Sequence, residues 1–457
     1  MSDSVSRARL SAFEVLHRVA TEEAFAGPLL ATGGSPPLSA EDQHLRQVLT
    51  LGVLRRQGWL DHLIKRLSGR PVERLDPEVV ISLRLGIYQL KFLSRIPAHA
   101  AINESVNLVK LARKRSAAPF VNAVLRAAQR SGELPVSWLP EDPLERLSIT
   151  ASTPLWILER WCQRWGFEEA AELATANLSV PSHTIRFNQQ LSPRRVTEEW
   201  MGQQGIRTRP SVLVPTASVL IDGSLSPDSM PVKEGWVYFQ EESSQLVARL
   251  SIPDEPGLSP QSFWDACAAP GGKSAMISSL LPKGSRHIAT DRLESRIRLM
   301  RQLLARHRLL ARINVAQVDL TVESPFQQEC FDLILVDAPC SGLGTIQKNP
   351  EIKWRLTPGK IDELAQMQRR IIETAALSLR PGGVLTYSVC STEKEEGEDV
   401  IGWFRERHPE YRDITRERLE ALGLDPHSFI TATGGARTFP HHHQTEGFFV
   451  CVLWKRR

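Results

Sequence analysis

Strand-like runs alternate with helical segments in the second half of the chain, and this alternation limits the possible folds more than any other feature. Alternating strands and helices predict βαβ units, which assemble into a parallel sheet covered by helices. A last run, 448–454, has no crossover helix before it, so we expect an antiparallel strand at the C-terminal edge. The five predicted parallel strands are 262–266, 287–290, 313–318, 332–336 and 384–389.

Residues suited to a ligand site follow these predicted strands. A turn of small residues after the first strand lets a ligand approach backbone N–H groups at a helix N-terminus. The next three strands end at Asp291, Asp319 and Asp337, and Asp291 lies about 20 residues beyond the turn, as a ribose-binding carboxylate does. A nucleotide-type pocket is therefore predicted at the carboxyl edge of the sheet. The turn comprises Cys267, Ala268, Ala269, Pro270, Gly271, Gly272 and Lys273.

A P-loop is the alternative interpretation of the stretch Gly271-Gly272-Lys273-Ser274, because GxxxxGK[ST] also follows a strand and holds phosphates. The match fails at its first position, where Cys267 stands in place of glycine. Pro270 also removes an N–H group that should face phosphate. An NTPase stays a minor alternative, which would bind ATP with magnesium, whereas the nucleotide-type pocket would bind an adenosine thioether without metal.

Two of the six cysteines are expected to share one site. Cys340 follows the fourth predicted strand and Cys390 follows the fifth, so both thiols should lie at the same edge of the sheet and face one pocket. Cys162, Cys330 and Cys451 are interpreted as small buried hydrophobic residues. Because no CxxC pair occurs, neither a disulfide framework nor a zinc site is expected, and we predict no bound metal.

The first 140 residues differ in pattern and in charge. Their periodicity predicts an all-α domain, and they hold 19 Lys and Arg against 12 Asp and Glu, whereas the remainder holds 37 against 40. A basic module of this kind attracts phosphates, although a solvated helical surface is an equal alternative on charge alone. No run approaches the roughly 18 apolar residues of a membrane-spanning helix, so we expect a cytoplasmic protein without a membrane partner.

Three domains are predicted from these changes of pattern. An all-α domain spans 1–140, a small α+β adaptor spans 145–235, and a Rossmann-like α/β domain spans 236–457. A Pro-rich stretch that contains Pro135, Pro140 and Pro143 is interpreted as the linker before the adaptor. Within the adaptor we predict a helical segment around 156–176 and strands at 184–187 and 212–221.

Several motifs resemble those of the Nol1/Nop2/Sun RNA cytosine-5 methyltransferases, and within them the bacterial type that modifies small-subunit ribosomal RNA. The N-terminal part resembles the NusB helical RNA-binding domain through 84–90, 101–106 and 120–125. One departure is Leu343, where many relatives carry a smaller residue, and we expect it to change only the packing of the loop. The motifs that carry the resemblance are 239–244, 265–273, 337–342, 350–354, 387–391 and 446–449.

The resemblance implies a role for each candidate residue. Cys390 would attack C6 of a cytosine, Cys340 would help to release the methylated base, and Asp337 would contact the edge of the cytosine. S-adenosylmethionine would be the cofactor, lined by the turn 267–273 and by Asp337. Asp291 would hold its ribose and Asp319 its adenine. Lys273 would contact either a substrate phosphate or the methionine carboxylate, and the sequence does not choose between them.

The same resemblance implies 16S ribosomal RNA as the substrate, naked or in an early assembly intermediate, and a monomeric enzyme. Residues 1–140 are expected to supply RNA affinity, while the C-terminal part binds the cofactor unaided. The alternative is an RNA-binding or antitermination-type protein with a non-catalytic methyltransferase domain. The presence of Cys390, Cys340, Asp337 and both glycines of the turn argues against such decay.

Overall fold

The computed structural model describes residues 5–31, 37–132, 135–226, 228–253 and 260–457. The chain divides into two compact units, Met1–Val180 with Ile346–Arg355, and Pro181–Thr345 with Leu356–Arg457. Across the described ranges, no helix is both long and apolar enough to cross a membrane.

The helices and strands are numbered in chain order. The helices are α1 (Arg7–Thr21), α2 (Ala26–Ala31), α3 (Ala40–Arg55), α4 (Gln57–Ser68), α5 (Pro77–Phe92), α6 (Ala98–Leu111), α7 (Ala118–Arg130), α8 (Pro143–Thr150), α9 (Leu155–Trp165), α10 (Phe167–Ala176), α11 (Arg194–Gln203), α12 (Met230–Lys233), α13 (Glu242–Ser251), α14 (Gly272–Leu280), α15 (Glu294–Arg306), α16 (Ile352–Arg355), α17 (Pro358–Ala376), α18 (Glu398–Arg407), α19 (Thr415–Ala421) and α20 (Pro440–His443). The strands are β1 (Thr184–Phe187), β2 (Arg207–Pro210), β3 (Ala217–Asp222), β4 (Val237–Phe239), β5 (Ser262–Asp265), β6 (Arg286–Asp291), β7 (Ile313–Gln317), β8 (Phe331–Asp337), β9 (Leu379–Val389), β10 (Tyr411–Asp413), β11 (Ala436–Arg437) and β12 (Phe449–Lys455). Short 3-10 turns occur at Val72–Arg74, Arg115–Ala117, Val136–Trp138, Leu343–Thr345 and Pro426–Ser428.

The first unit is helical throughout its described part, which confirms the all-α prediction. Ser39 caps α3, since its Oγ accepts a hydrogen bond from the backbone N–H of Asp42 at 3.1 Å. Pro77 occupies the first turn of α5, where a missing N–H costs nothing. Apolar side chains of α1, α3, α4, α5, α6 and α7 form one core. The segment predicted as one helix over 156–176 is broken at Gly166, whose φ of 88° ends α9 before α10 begins.

The Pro-rich stretch is part of this unit and does not separate two units as the linker prediction implied. Pro135 precedes a 3-10 turn and Pro143 is the first residue of α8. Asp142 caps α8 by accepting the backbone N–H of Glu145 at 2.8 Å. Prolines at helix starts fix φ at a helical value, so a run of prolines can begin helices as well as extend a linker.

The second unit begins with a small antiparallel sheet in the order β2-β3-β1-β4, accompanied by α11 and α12. This arrangement confirms the small α+β prediction. Strand β3 starts at Ala217, later than the predicted 212, because Ser211 forms a turn there. Its Oγ accepts the N–H groups of Leu213 and Val214, both at 3.0 Å.

The large sheet of this unit has the order β10-β12-β9-β8-β5-β6-β7. Strands β7, β6, β5, β8 and β9 run parallel, as predicted, and the chain order reverses between β5 and β8. Ligands of open α/β sheets bind beyond the carboxyl ends of the strands at such a reversal. Strand β12 is antiparallel to β9, but it is not the edge strand that was predicted, because β10 pairs with its other side.

Candidate active site

A cavity of about 200 Å³ opens beyond the carboxyl ends of β5, β6 and β7. Of the residues predicted to bind a cofactor, Cys267, Asp291 and Asp319 line it. The turn that precedes α14 is shaped by Gly271, whose φ of 103° favours glycine. The cavity therefore lies where the sequence placed a nucleotide-type pocket, and its walls combine carboxylates with apolar side chains from α17 such as Met367 and Ile371.

Asp291 is buried at the end of β6 and is fixed by three neighbours. Its Oδ2 accepts the N–H of Ala269 at 3.3 Å and lies 3.5 Å from the Nη1 of Arg296, while its Oδ1 accepts the N–H of Leu293 at 3.1 Å. Arg296 also donates to the carbonyl of Ala269 at 2.7 Å. The sequence did not single out Arg296, although its place on the first turn of α15, directly after Asp291, was the available signal.

Asp319 lies in the loop after β7 and holds that loop in shape. Its Oδ1 accepts hydrogen bonds from the hydroxyl of Thr321 at 2.6 Å and from the backbone N–H of the same residue at 2.9 Å. The hydrogen bond from the Thr321 hydroxyl is the largest of the effects that lower the pKa of Asp319. This carboxylate stays ionised and faces the cavity, so it can accept a hydrogen bond from a ligand.

The remaining residues of the turn pack against the protein more than they face the cavity. Ala268 and Ala269 are buried, and the N–H of Ala268 bonds to the carbonyl of Thr290 at 2.8 Å, whereas Pro270 is exposed. A Cβ on Gly272 would lie 2.8 Å from the ring of Tyr238, so a larger residue there would require the ring to shift. Burial raises the pKa of the Cys267 thiol, so Cys267 is a neutral wall of the cavity.

Asp265 was part of the quoted motif but was assigned no role. It is 1% exposed, and the Oγ of Ser274 donates to its Oδ2 at 2.5 Å. Burial raises its pKa to about 7. Within the described part of the chain its Oδ1 is a buried oxygen without a hydrogen-bond partner.

The two predicted cysteines meet at the ends of adjacent strands. Strands β8 and β9 are parallel, with Asp337 opposite Ser388, so the residues that follow both strands leave the sheet side by side. The Sγ atoms of Cys340 and Cys390 lie 3.0 Å apart, and both residues are partly exposed. The hydrogen bond with Cys390, and next to it burial, raise the pKa of Cys340 well above its usual value. Cys340 is therefore a protonated thiol at neutral pH.

An ion pair lies beside the thiols. The Nζ of Lys273 is 2.6 Å from the Oδ2 of Asp337, and the Oγ of Ser388 donates to Oδ1 at 2.6 Å. Burial by itself would lower the pKa of Lys273, but the charge of Asp337 and its hydrogen bond outweigh burial and raise it. Lys273 is therefore a cation whose partner is Asp337, a pairing that the sequence did not suggest. The ring of Phe448 lies 5.1 Å from the Nζ.

The loop that carries Cys340 is held against two other segments. The N–H of Gly344 bonds to the carbonyl of Cys390 at 3.1 Å, and its carbonyl accepts the N–H of Gly447 at 2.8 Å. A Cβ on Gly344 would lie 1.7 Å from the carbonyl oxygen of Gly447, so no larger residue fits. Leu343, the departure noted in the sequence, is buried beside it.

Family models match all three parts of the chain. The model described as 16S rRNA methyltransferase RsmB/F matches residues 258–454, the NusB family model matches 6–130, and the ferredoxin-like domain of RsmF/B-like methyltransferases matches 153–224. The match over 258–454 covers the cavity, the cysteines and the ion pair. It argues against the P-loop interpretation of residues 267–274.

Curated relatives and a solved structure match over nearly the full length. A Bacillus subtilis (strain 168) protein named "Probable ribosomal RNA small subunit methyltransferase B" is 34% identical over 97% of this chain and 98% of its own. "Ribosomal RNA small subunit methyltransferase B" of Pseudomonas syringae pv. tomato is 33% identical over 98% of this chain and 96% of its own. The crystal structure of PH0851 is 25% identical, has a TM-score of 0.82 and covers 99% of both chains. The chain belongs to the RsmB/F family of 16S rRNA methyltransferases.

Proposed function

We propose that this protein transfers a methyl group from S-adenosylmethionine to C5 of a cytosine in 16S ribosomal RNA, through a transient bond between Cys390 and C6 of the base. The observation that carries the proposal is the pair of thiols, 3.0 Å apart, next to the ion pair of Lys273 and Asp337. The names of the curated relatives support ribosomal RNA of the small subunit as the substrate.

The residues around the cavity fit S-adenosylmethionine. The carboxylate of Asp291 suits the two ribose hydroxyls, since both are donors and a carboxylate only accepts. Asp319 can accept from the adenine amino group, and Met367 and Ile371 offer apolar contacts to the ring. When bound, the cofactor supplies a methyl group on a positively charged sulfur.

Cys390 acts first in the proposed reaction. Its thiolate adds to C6, an S–C6 bond forms, and the electron pair of the C5–C6 double bond moves onto C5 and the conjugated ring. C5 is then nucleophilic enough to take the methyl group. Asp337 can accept a hydrogen bond from the amino group of the cytosine, and the Nζ of Lys273 is paired with the same carboxylate. The base must be unpaired or flipped out of its helix to reach both residues.

Cys340 acts in the release of the product. The proton on C5 has to leave, the C5–C6 double bond forms again, and the S–C6 bond breaks. We assign both proton movements to Cys340, which passes its own proton to the departing sulfur of Cys390 and takes up the proton from C5. The 3.0 Å separation of the two Sγ atoms and the raised pKa of Cys340 support this assignment.

Two alanine variants test the proposal on labelled, unmodified 16S ribosomal RNA with S-adenosylmethionine. Cys390→Ala should be inactive and form no adduct, because nothing then attacks C6. Cys340→Ala should attack and methylate but stall before release, which leaves protein attached to RNA as a slow band on a denaturing gel. Cys162→Ala, on a helix of the first unit, is the matched control and should behave as the wild type.

Three other results would contradict the proposal. An adduct with Cys390→Ala but none with Cys340→Ala would mean that Cys340 attacks C6 and Cys390 acts in release. Loss of activity in both variants without any adduct would argue against covalent catalysis. RNA binding by the wild type without methyl transfer would favour the alternative, an antitermination-type protein with a non-catalytic domain. Mapping of 5-methylcytosine in 16S ribosomal RNA from cells with and without the gene identifies the target nucleotide.

The first unit is assigned the RNA affinity, because the NusB family model matches 6–130 and residues 1–140 carry a charge of +7. Arg113, Lys114 and Arg115 form a basic group at the end of α6. Replacement of all three by Gln should weaken RNA binding and reduce its salt dependence, because each phosphate contact releases bound counterions. An unchanged salt dependence would exclude this group from the interface. Light scattering on the free protein tests the proposed monomeric state.

A further inference from the structure

Glu396 is a buried carboxylate that connects the two cysteine loops. Its side chain is fully shielded from solvent, and its Oε2 accepts hydrogen bonds from the hydroxyls of Ser341 and Ser391, both at 2.5 Å. Ser341 directly follows Cys340 and Ser391 directly follows Cys390. The two hydroxyl oxygens are themselves 3.0 Å apart. One carboxylate oxygen thus holds the neighbours of both thiols.

The other oxygen of Glu396 extends the same connection. Oε1 accepts the backbone N–H of Ser341 at 2.8 Å and the side-chain amide of Gln368 at 3.0 Å. Gln368 also donates to the carbonyl of Pro339 at 2.8 Å, so the residues on both sides of Cys340 are fixed. On the Cys390 side, the hydroxyl of Tyr387 donates to the backbone carbonyl of Glu396 at 2.6 Å.

A buried carboxylate that has only neutral donors costs free energy of folding, so packing alone does not explain why Glu396 is there. The four donors that reach the carboxylate are neutral, namely two hydroxyls, one backbone N–H and one side-chain amide. Burial raises the pKa of Glu396, and these hydrogen bonds only partly offset that effect. Apolar residues of similar size often fill such a space with equal or greater stability. A carboxylate, in contrast, can accept several hydrogen bonds at once and so fix several groups at defined positions.

We propose that Glu396 is a positioning residue for methyl transfer, which holds Ser341 and Ser391 together so that Cys340 and Cys390 can act on the same cytosine. The proposal rests on the proposed function for its catalytic consequence, but the geometry it describes can be measured without RNA. Glu396 has no contact with the reacting atoms in this account. A misplacement of a reacting group by about 1 Å can cost about 100-fold in rate.

The test uses the full chain with Glu396→Gln and Glu396→Ala. Glutamine keeps the size of the side chain and one acceptor oxygen, so it should preserve the fold better than alanine. Its NH₂ group, however, faces donors of Ser341 or Gln368 and cannot accept their hydrogen bonds. Glu393→Gln is the matched control, because Glu393 is also buried on this loop, its Oε1 accepts the Thr392 hydroxyl at 3.1 Å, and the substitution keeps its backbone N–H, which donates to the Ser391 hydroxyl. The folded fraction of every variant is checked by circular dichroism.

The first measurement is kinetic. We expect kcat to fall at least tenfold in Glu396→Gln and about 100-fold in Glu396→Ala, with KM for RNA and for S-adenosylmethionine changed less than about threefold. Glu393→Gln should retain the wild-type kcat. A variant that merely unfolds would instead lose active enzyme in proportion to its folded fraction. A kcat of Glu396→Gln within about threefold of the wild type would overturn the proposal.

The second measurement is independent of methyl transfer. Dibromobimane bridges two thiols only when they are adjacent, and mass spectrometry identifies the bridged peptides. The wild type and Glu393→Gln should form the bridge between Cys340 and Cys390, whereas Glu396→Gln should form much less of it. Equal bridging in Glu396→Gln would refute the positioning role. A wild type that bridges but does not methylate would refute the proposed function and leave the geometry standing.

Discussion

Lys353 is a buried cation whose removal should stabilise the first unit. It lies in α16 and is 0% exposed, and its Nζ donates to the carbonyl of Arg55 at 3.2 Å. Burial, and next to it the charges of Arg55 and Arg56, lower its pKa from 10.5 to about 7. A shift of this size corresponds to about 5 kcal/mol of unfavourable free energy in the folded state.

Replacement of Lys353 by methionine keeps the length of the side chain and removes the charge. The substitution loses one hydrogen bond and leaves the carbonyl of Arg55 without it, at a cost of about 2 to 3 kcal/mol. The net expectation for Lys353→Met at pH 7 is therefore a gain of about 2 kcal/mol in the free energy of unfolding of the first unit. An exposed lysine of the same unit, Lys65, gives the control variant Lys65→Met, which should change this free energy very little.

The stability gain of Lys353→Met should fall as the pH rises, because the pKa of Lys353 is lowered in the folded state. Between pH 7 and pH 9 the unfolded chain keeps the Lys353 proton and the folded chain does not, so the stability of the wild type rises with pH. The advantage of Lys353→Met should then shrink by about 2 kcal/mol between these two values, while Lys65→Met shows no such trend.

Pulse proteolysis across a urea series measures these free energies, and mass spectrometry of fragments from α3 restricts the result to the first unit. Destabilisation by Lys353→Met at pH 7 would refute the energetic argument. A difference from the wild type that stays constant between pH 7 and pH 9 would refute the lowered pKa, even if the variant were more stable.

Three further predictions concern the second unit. Gly344→Ala should lower both its melting temperature and its kcat, because the added Cβ meets the backbone of the 447 region, whereas Gly359→Ala meets nothing within 4 Å and should be neutral in thermal denaturation. Burial lowers the pKa values of His287 and His307 to about 4. As the pH falls from 6.5 toward 4, the unfolded chain binds protons at these two histidines before the folded chain does, so each histidine should lower the free energy of unfolding by up to about 3 kcal/mol. Urea titration at each pH measures this loss. Asp291→Ala should weaken S-adenosylmethionine binding at least tenfold, as measured by calorimetry. If this variant bound the cofactor with wild-type affinity, Asp291 would not be the residue that holds the ribose.

The sheet could be predicted because its strands are apolar runs bounded by small or acidic residues. The edge strand beyond β12 could not be predicted, because β10 has only three residues, Tyr411–Asp413, and so short a strand shows no periodic pattern. The Pro-rich stretch was ambiguous for a related reason. Prolines restrict φ in a linker and at a helix start alike, and only the capping bond of Asp142 decides between the two.

The cysteines were visible in the sequence because both follow predicted parallel strands, whose carboxyl ends share an edge. Glu396 was not visible, since it belongs to the acidic run 393–398, which has the composition of an exposed turn. Its burial depends on Ser341 and Gln368, which are 55 and 28 residues away in the chain. The partner of Lys273 was hidden in the same way, because Asp337 lies 64 residues further on. Local pattern cannot report contacts over such separations.

The segment Ile346–Arg355 links the thiol loop to the first unit through the chain itself. The loop that carries Cys340 ends at Thr345, the chain then belongs to the first unit for ten residues, and it returns at Leu356 just before the helix that carries Gln368. Within the first unit, Glu351 accepts the N–H of Ala26 at 2.9 Å.

Further contacts anchor the same segment. Arg355 donates to the carbonyls of Val19 and Glu23, both at 2.8 Å, and Lys353 donates to that of Arg55. A deletion of residues 1–140 would remove every one of these partners and leave Lys353 and Glu351, both buried in the intact chain, without them. Loss of activity in such a deletion would therefore not measure RNA affinity. Substitution of the basic group at Arg113–Arg115 leaves these contacts intact, so it tests the RNA-binding role of the first unit without disturbing the segment Ile346–Arg355.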